Sequence, residues 1–189
     1  MRFKLISTAG LFTAAFLLLG ANANADDHHG KQQFFASFSG FQEIGGLGAG
    51  ETGAIFSPGQ GQLSLNVDRV NKAISFELTY SGLSAPVTQS HIHFGKVHVA
   101  GGVMVFFCAN PPLTPPPGTQ ACPLNSGTVK GTIIPASVIG PVPQGVTAGN
   151  FDALVAAIFS DTAYGNIHTT AFPAGEIRGQ IRQSDGDHQ

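Results

Sequence analysis

Between Gln62 and Tyr80 apolar and polar positions alternate: Leu63, Leu65 and Val67, then a polar break from Asp68 to Lys72, then Ile74, Phe76 and Leu78. A period of two puts these side chains on one face of an extended chain, so the segment predicts a β-hairpin with one buried face. Short β-favouring runs bounded by turn residues recur along the chain, the pattern of an antiparallel sandwich or barrel. We read strands at 34–40, 52–57, 61–68, 73–80, 88–94, 102–107, 127–134, 164–168 and 176–183. One segment breaks the pattern. Phe151, Leu154, Val155, Ile158 and Phe159 recur at helical spacing, with Asn150 placed to cap them, so a single short helix is expected near 150–160. Its apolar stripe reads as core packing.

The first 25 residues follow a different rule. Arg2 and Lys4 precede an uncharged apolar stretch from Leu5 to Leu19, and Ala23-Asn24-Ala25 supplies the small residues of an export-signal cleavage site. That stretch is shorter than the roughly 20 apolar residues a membrane-spanning helix needs, so no span is expected after cleavage. The resulting organisation is a signal peptide at 1–25, a polar leader at 26–33, one all-β domain at 34–183 and a polar tail at 184–189, in a secreted or periplasmic protein.

Composition then excludes a class of partner. Only 11% of residues are charged, the formal net charge is −2, and losing Arg2 and Lys4 makes the remainder more acidic. Nucleic-acid binding needs a clustered basic surface, and none exists here. With 25 glycines and 12 prolines the chain turns often, while 42% apolar residues supply a core. Export also changes how Cys108 and Cys122 read. Both thiols meet an oxidising compartment across a proline-rich stretch, so a disulfide is expected. Enclosed there, Pro112-Leu113-Thr114-Pro115 reads as a stiff surface loop and not as a PxxP ligand. Gly48-Ala49-Gly50-Glu51-Thr52-Gly53 matches a dinucleotide fingerprint in letters, but Ser57-Pro58-Gly59 follows instead of a helix.

The histidines carry the chemistry. In Gln89-Ser90-His91-Ile92-His93-Phe94 the strand period puts His91 and His93 on one face and Ile92 on the other. Tyr164, Asn166 and His168 share the polar face of a later strand, as do Glu176, Arg178 and Gln180 of the last one. If these two strands pair as a hairpin, Asn166 faces Arg178 and His168 faces Glu176. Two readings of this face compete: a transition-metal site built on His91, His93 and His168 and supported by Glu176, Arg178 and Asn166, or a hydrogen-bonded network with Glu176 and Arg178 as an ion pair. No Ser-His-Asp order or paired carboxylates stand out, so no catalytic residue is assigned.

The segments His91-Ile92-His93-Phe94-Gly95, Tyr164-Gly165-Asn166-Ile167-His168-Thr169 and Phe172-Pro173-Ala174-Gly175-Glu176-Ile177-Arg178-Gly179-Gln180-Ile181 resemble the signature of the CHRD domain, first named from chordin. Phe38-Ser39-Gly40-Phe41-Gln42-Glu43 resembles the start of that family, although Ile44-Gly45-Gly46 stands where it usually has proline. The resemblance covers about 34–182 and implies an extracellular or periplasmic all-β domain. It does not imply chordin's growth-factor antagonism, since the cysteine-rich modules that perform it are absent from this sequence. The order His-x-His, a later lone His, then an Arg in the last strand is similar to the copper site of Cu/Zn superoxide dismutases. That similarity implies copper ligation by His91, His93 and His168 and an anion-guiding Arg178, but the zinc subsite has no counterpart.

Taken together, these readings predict an antiparallel β-sandwich, immunoglobulin-like or superoxide-dismutase-like, acting as an exported binding or structural module with a copper or zinc site. Its expected partners are a metal ion and an extracellular protein. The competing class is a copper-dependent oxidoreductase of dismutase-like geometry. Two readings also compete at the N-terminus that cleavage after Ala25 would create: a solvated polar leader with incidental histidines, or a second metal site in which the Asp26 amine, two amide nitrogens and the His28 imidazole of Asp26-Asp27-His28 form a square-planar set.

Overall fold

A computed structural model describes residues 32–44 and 53–184. The 1–25 segment read as an export signal, Asp26, Asp27 and His28, nearly all of the glycine-rich 48–53 stretch and most of the polar tail lie outside the described residues.

Among the described residues the chain is all-β with one short α-helix. Its strands are β1 (Gln32–Ser39), β2 (Gln60–Asp68), β3 (Ala73–Ser81), β4 (Val87–Phe94), β5 (Gly102–Ala109), β6 (Gly127–Ile133), β7 (Ala163–Thr169), β8 (Ile177–Gln180) and β9 (Arg182–Gln183), with α1 at Phe151–Phe159. All pairings are antiparallel, in the order β5-β4-β7-β8-β1-β2-β3-β6, with β9 added against β1. The two end strands come together, so the sheet curls into a nearly closed barrel, flattened like a sandwich, around one core. Gln120 spans that seam: its Nε2 donates to Phe107 O of β5 (3.4 Å) and Lys130 O of β6 (2.9 Å).

The β2–β3 hairpin has the predicted register, with Leu63 opposite Leu78 and Leu65 opposite Phe76, and its alternate side chains are buried. The helix begins as expected, Asn150 Oδ1 accepting from the Ala153 amide (3.0 Å), and sends Phe151, Leu154, Val155 and Ile158 into the core. Cys108 and Cys122 form a disulfide. Asn110 fixes the loop they close, donating to Val87 O and Cys122 O and accepting from the Cys122 amide.

Two strand expectations need correction. Residues 53–59 form a bend and irregular extended chain instead of a strand, because Ser57 Oγ turns back to accept from the Gly59 amide and Pro58 has no N–H to offer a ladder. The segment 176–183 divides at Ile181: β8 pairs with β7 and, at Arg178, with β1, whereas β9 pairs with β1 alone, and the Ile181 amide donates to Ala163 O between them.

What sets this sheet apart from a half-exposed one is β7, which is buried along its whole length. Its inner face packs in the core through Ile167, and at Gly165 a Cβ would fall inside the Phe38 ring, so only glycine fits beneath that aromatic side chain. Its outer face carries polar groups and is covered by loops. That cover creates the candidate site.

Candidate metal centre

Pairing places the polar residues of three strands side by side on the outer face. His91 is opposite Asn166, His93 opposite Tyr164, and Gln89 opposite His168 across β4 and β7; Asn166 is opposite Arg178 across β7 and β8, as the strand period predicts. Three connections fold over this face. The β4–β5 loop supplies Gly101 O to His93 Nδ1 (2.9 Å), and Lys96 O and Val99 O to the Arg178 guanidinium (3.0 and 3.1 Å). The β7–β8 connection supplies Pro173 O to His168 Nδ1 (2.9 Å). The chain after β1 supplies Glu43, whose Oε2 accepts from Asn166 Nδ2.

The result is a buried cluster of imidazoles. His91, His93 and His168 are 2%, 8% and 7% exposed, and each offers a ring nitrogen within 4.8 Å of the others. The closest pair is His91 Nδ1 and His168 Nε2 at 3.3 Å. Since Nδ1 of His93 and of His168 each face a carbonyl oxygen, the ring proton of the neutral imidazole belongs there, which leaves Nε2 as a bare lone pair. Burial keeps all three rings neutral: it pushes His91 down to about 2, with the neighbouring His168 and His93 adding to the effect, and takes His93 and His168 down to about 4. Aromatic rings wall the cluster. Phe106 meets His91 edge-on at 4.2 Å between centroids, and Tyr164 stacks flat on His93.

Hydrogen bonding inside the cluster is incomplete. His91 Nε2 and His93 Nε2 are buried and have no partner. A buried polar atom left unpaired costs about 1–3 kcal/mol, so two in one cluster mark a site built for something further. The donor set is the kind that zinc, copper, iron or nickel accepts, and the three nitrogens are near enough for small side-chain movements to bring them onto one ion.

The other predicted residues take up different positions. Asn166 bridges the cluster face to Glu43, and Arg178 lies with its guanidinium carbon 3.3 Å above the Tyr164 ring. Glu176 and Arg178 do not form the ion pair considered above. The carboxylate of Glu176 accepts from Ser57 Oγ (2.6 Å), the Ser84 amide (2.8 Å) and Thr169 Oγ1 (2.7 Å), whereas Arg178 donates to the β4–β5 loop. β8 begins only at Ile177, so Glu176 stands outside the strand and its side chain turns toward these donors. Sequence reading missed Glu43 and Tyr164 as members of the site. Tyr164 was legible as a same-face neighbour of His168, but the Gly101 and Pro173 carbonyls that orient the rings carry no side-chain signature.

An all-β domain whose outer sheet face holds a covered histidine triad is thus the class that fold and geometry define. The CHRD domain family model matches residues 34–181, and the chain belongs to that family. All three histidines, Glu43 and Arg178 fall within the matched span. No curated protein and no solved structure matches the chain.

Proposed function

We propose that this CHRD domain is an exported binding module that holds one transition-metal ion on His91, His93 and His168. The observation that carries the reading is the pair of buried, unpartnered nitrogens, His91 Nε2 and His93 Nε2, in a cluster where backbone carbonyls orient His93 and His168 and His91 bonds to His168. A purely hydrogen-bonded network satisfies its buried members, and this one does not. A bound cation would accept the inward lone pairs of His91 Nε2 and His93 Nε2, and His168 Nε2, which here accepts from His91 Nδ1 (3.3 Å), would be its third donor. Carbonyl-oriented imidazoles are the usual supports of metal ligation, because the outer hydrogen bond fixes the tautomer and ring direction.

Export is supported by the n-region, apolar stretch and small-residue site of 1–25, by the disulfide, and by the family. The test is elemental analysis of the exported protein purified without a histidine tag, beside a His93→Ala variant. One equivalent of a transition metal in the native protein and none in the variant is the expected result. Native protein that holds no metal and takes up none on incubation with zinc, Cu(II) or, under anaerobic reducing conditions, Cu(I) would sink the reading.

A further inference from the structure

The charge and number of the ligands narrow which ion this centre takes. Among the His, Cys, Asp and Glu side chains of the described residues, the cluster is three imidazoles, all neutral donors, with no thiolate or carboxylate among them. The two nearest carboxylates are already committed. Glu43 accepts from Asn166 and from the Ile44 amide, and Glu176 is held by Ser57, Ser84 and Thr169. Arg178, the cation of this face, lies on the opposite side of Tyr164 from the site and adds no negative charge to it.

A divalent ion placed here would keep its full double charge in a buried setting, and a buried charge without a compensating partner is costly. Zinc also requires a fourth ligand, water where the protein gives only three. The unpartnered nitrogens have essentially no solvent-accessible surface, and the rings of Phe106 and Tyr164 lie against His91 and His93, so the cluster is closed to bulk water. A monovalent ion halves the buried charge, and Cu(I), unlike zinc, is stable with three nitrogen ligands and no fourth.

Building on the reading that the triad binds metal, we infer that the centre is a closed, three-coordinate site selective for Cu(I) over divalent zinc and copper. The histidine pair from one strand and the single histidine from its neighbour set the three donors, and the loops over them exclude a fourth.

The experiment is anaerobic competition of the full exported protein for Cu(I) against a coloured Cu(I) chelator, run beside zinc competition against a coloured zinc chelator, with X-ray absorption of the copper-loaded protein. The expected result is one Cu(I) per chain, an absorption edge typical of three nitrogen neighbours, zinc lost to a chelator of modest affinity, and loss of Cu(I) retention in His168→Ala. A circular-dichroism melt of that variant shows whether it is folded, and the native competition stands without it. Zinc held as firmly as Cu(I), or a fourth light-atom neighbour on the copper, would overturn the selectivity while leaving the triad a metal site. Failure to bind either ion would overturn both readings.

Discussion

The phenol ring of Tyr164 lies parallel to the imidazole of His93, their centroids 4.8 Å apart and their planes 4° from coplanar, and the Arg178 guanidinium covers its other face. The chain has two tyrosines and no tryptophan, so this stack places one of only two intrinsic fluorophores against a proposed ligand. Binding of a metal ion to the triad should therefore alter tyrosine emission. Tyr164→Phe should abolish the response and Tyr80→Phe should keep it, because Tyr80 belongs to the core and bonds Pro123 O. An equal response in both variants would place the ion elsewhere.

Glu176 makes a different contribution. It is fully buried, and its carboxylate gathers one donor from the chain before β2, one from the β3–β4 connection and one from the end of β7. Thr169 Oγ1 in turn accepts from the Phe172 amide, next to the Pro173 carbonyl that orients His168. Glu176→Ala would strand these donors and should cost about 3 kcal/mol or more of stability in urea titration. Glu176→Gln keeps acceptor capacity and should lose less. An alanine variant as stable as the native protein would show that the clasp is not needed.

The histidines also set a pH dependence in the metal-free protein. Burial lowers all three below the unfolded value of 6.5, to about 4 for His93 and His168 and about 2 for His91. Between those values the unfolded chain binds protons that the folded chain does not, so acid favours unfolding. Their contribution is whole above 6.5, falls as pH drops toward about 4, and for His91 continues to fall below that. Urea midpoints measured across this interval should decline with acid, and more shallowly in His168→Gln. A flat profile in the native protein would refute the assignment of three buried neutral rings.

Much of this architecture is written in local pattern. The alternation that gave the β2–β3 hairpin, the parity that put His91 and His93 on one face, and the spacing that set Asn166 against Arg178 all follow from the strand period. What the period cannot convey is cover. A polar face usually looks outward to water, yet here three connections close over it, and two bring backbone carbonyls that any residue type could supply. For the same reason Glu43 went unnoticed, since it reaches Asn166 from 123 positions away in the chain. The expected Glu176–Arg178 pair failed because opposite charges two residues apart say nothing about which loops lie above them.

The disulfide gives a test independent of metal. Cys108 and Cys122 are 14 positions apart, a loop for which the chain-entropy account gives about 3 kcal/mol of stabilisation. Reduction, or replacement of both by serine, should lower the thermal midpoint, and the loss of Asn110's fixed partners at Val87 and Cys122 should loosen the end of β5. Hydrogen exchange would show faster amides near 107–110 and unchanged ones in the β2–β3 hairpin. Two alkylatable thiols in the unreduced exported protein would contradict the bond itself.

Gly175 offers the sharpest test of how the cover holds the site. Its φ of +138° is one that side-chain-bearing residues rarely adopt, and a Cβ there would approach Asn166 Nδ2 to 2.6 Å and press on the Glu43 carboxylate. Glycine is therefore required for the β7–β8 connection to close over the Asn166–Glu43 bond. Gly175→Ala should keep the core and the far side of the barrel, where none of these groups reaches, while displacing the connection that carries Pro173 O to His168. The expected outcome is a folded protein with a cost of about 1–3 kcal/mol from backbone strain and a separated hydrogen bond. Metal retention should weaken more than that loss alone would produce, because His168 would lose the partner that fixes its tautomer. Nitrogen chemical shifts of the His168 ring report the tautomer directly. An unaltered His168 spectrum together with native metal retention would show that the connection tolerates the methyl group and that its closure does not position the ligand.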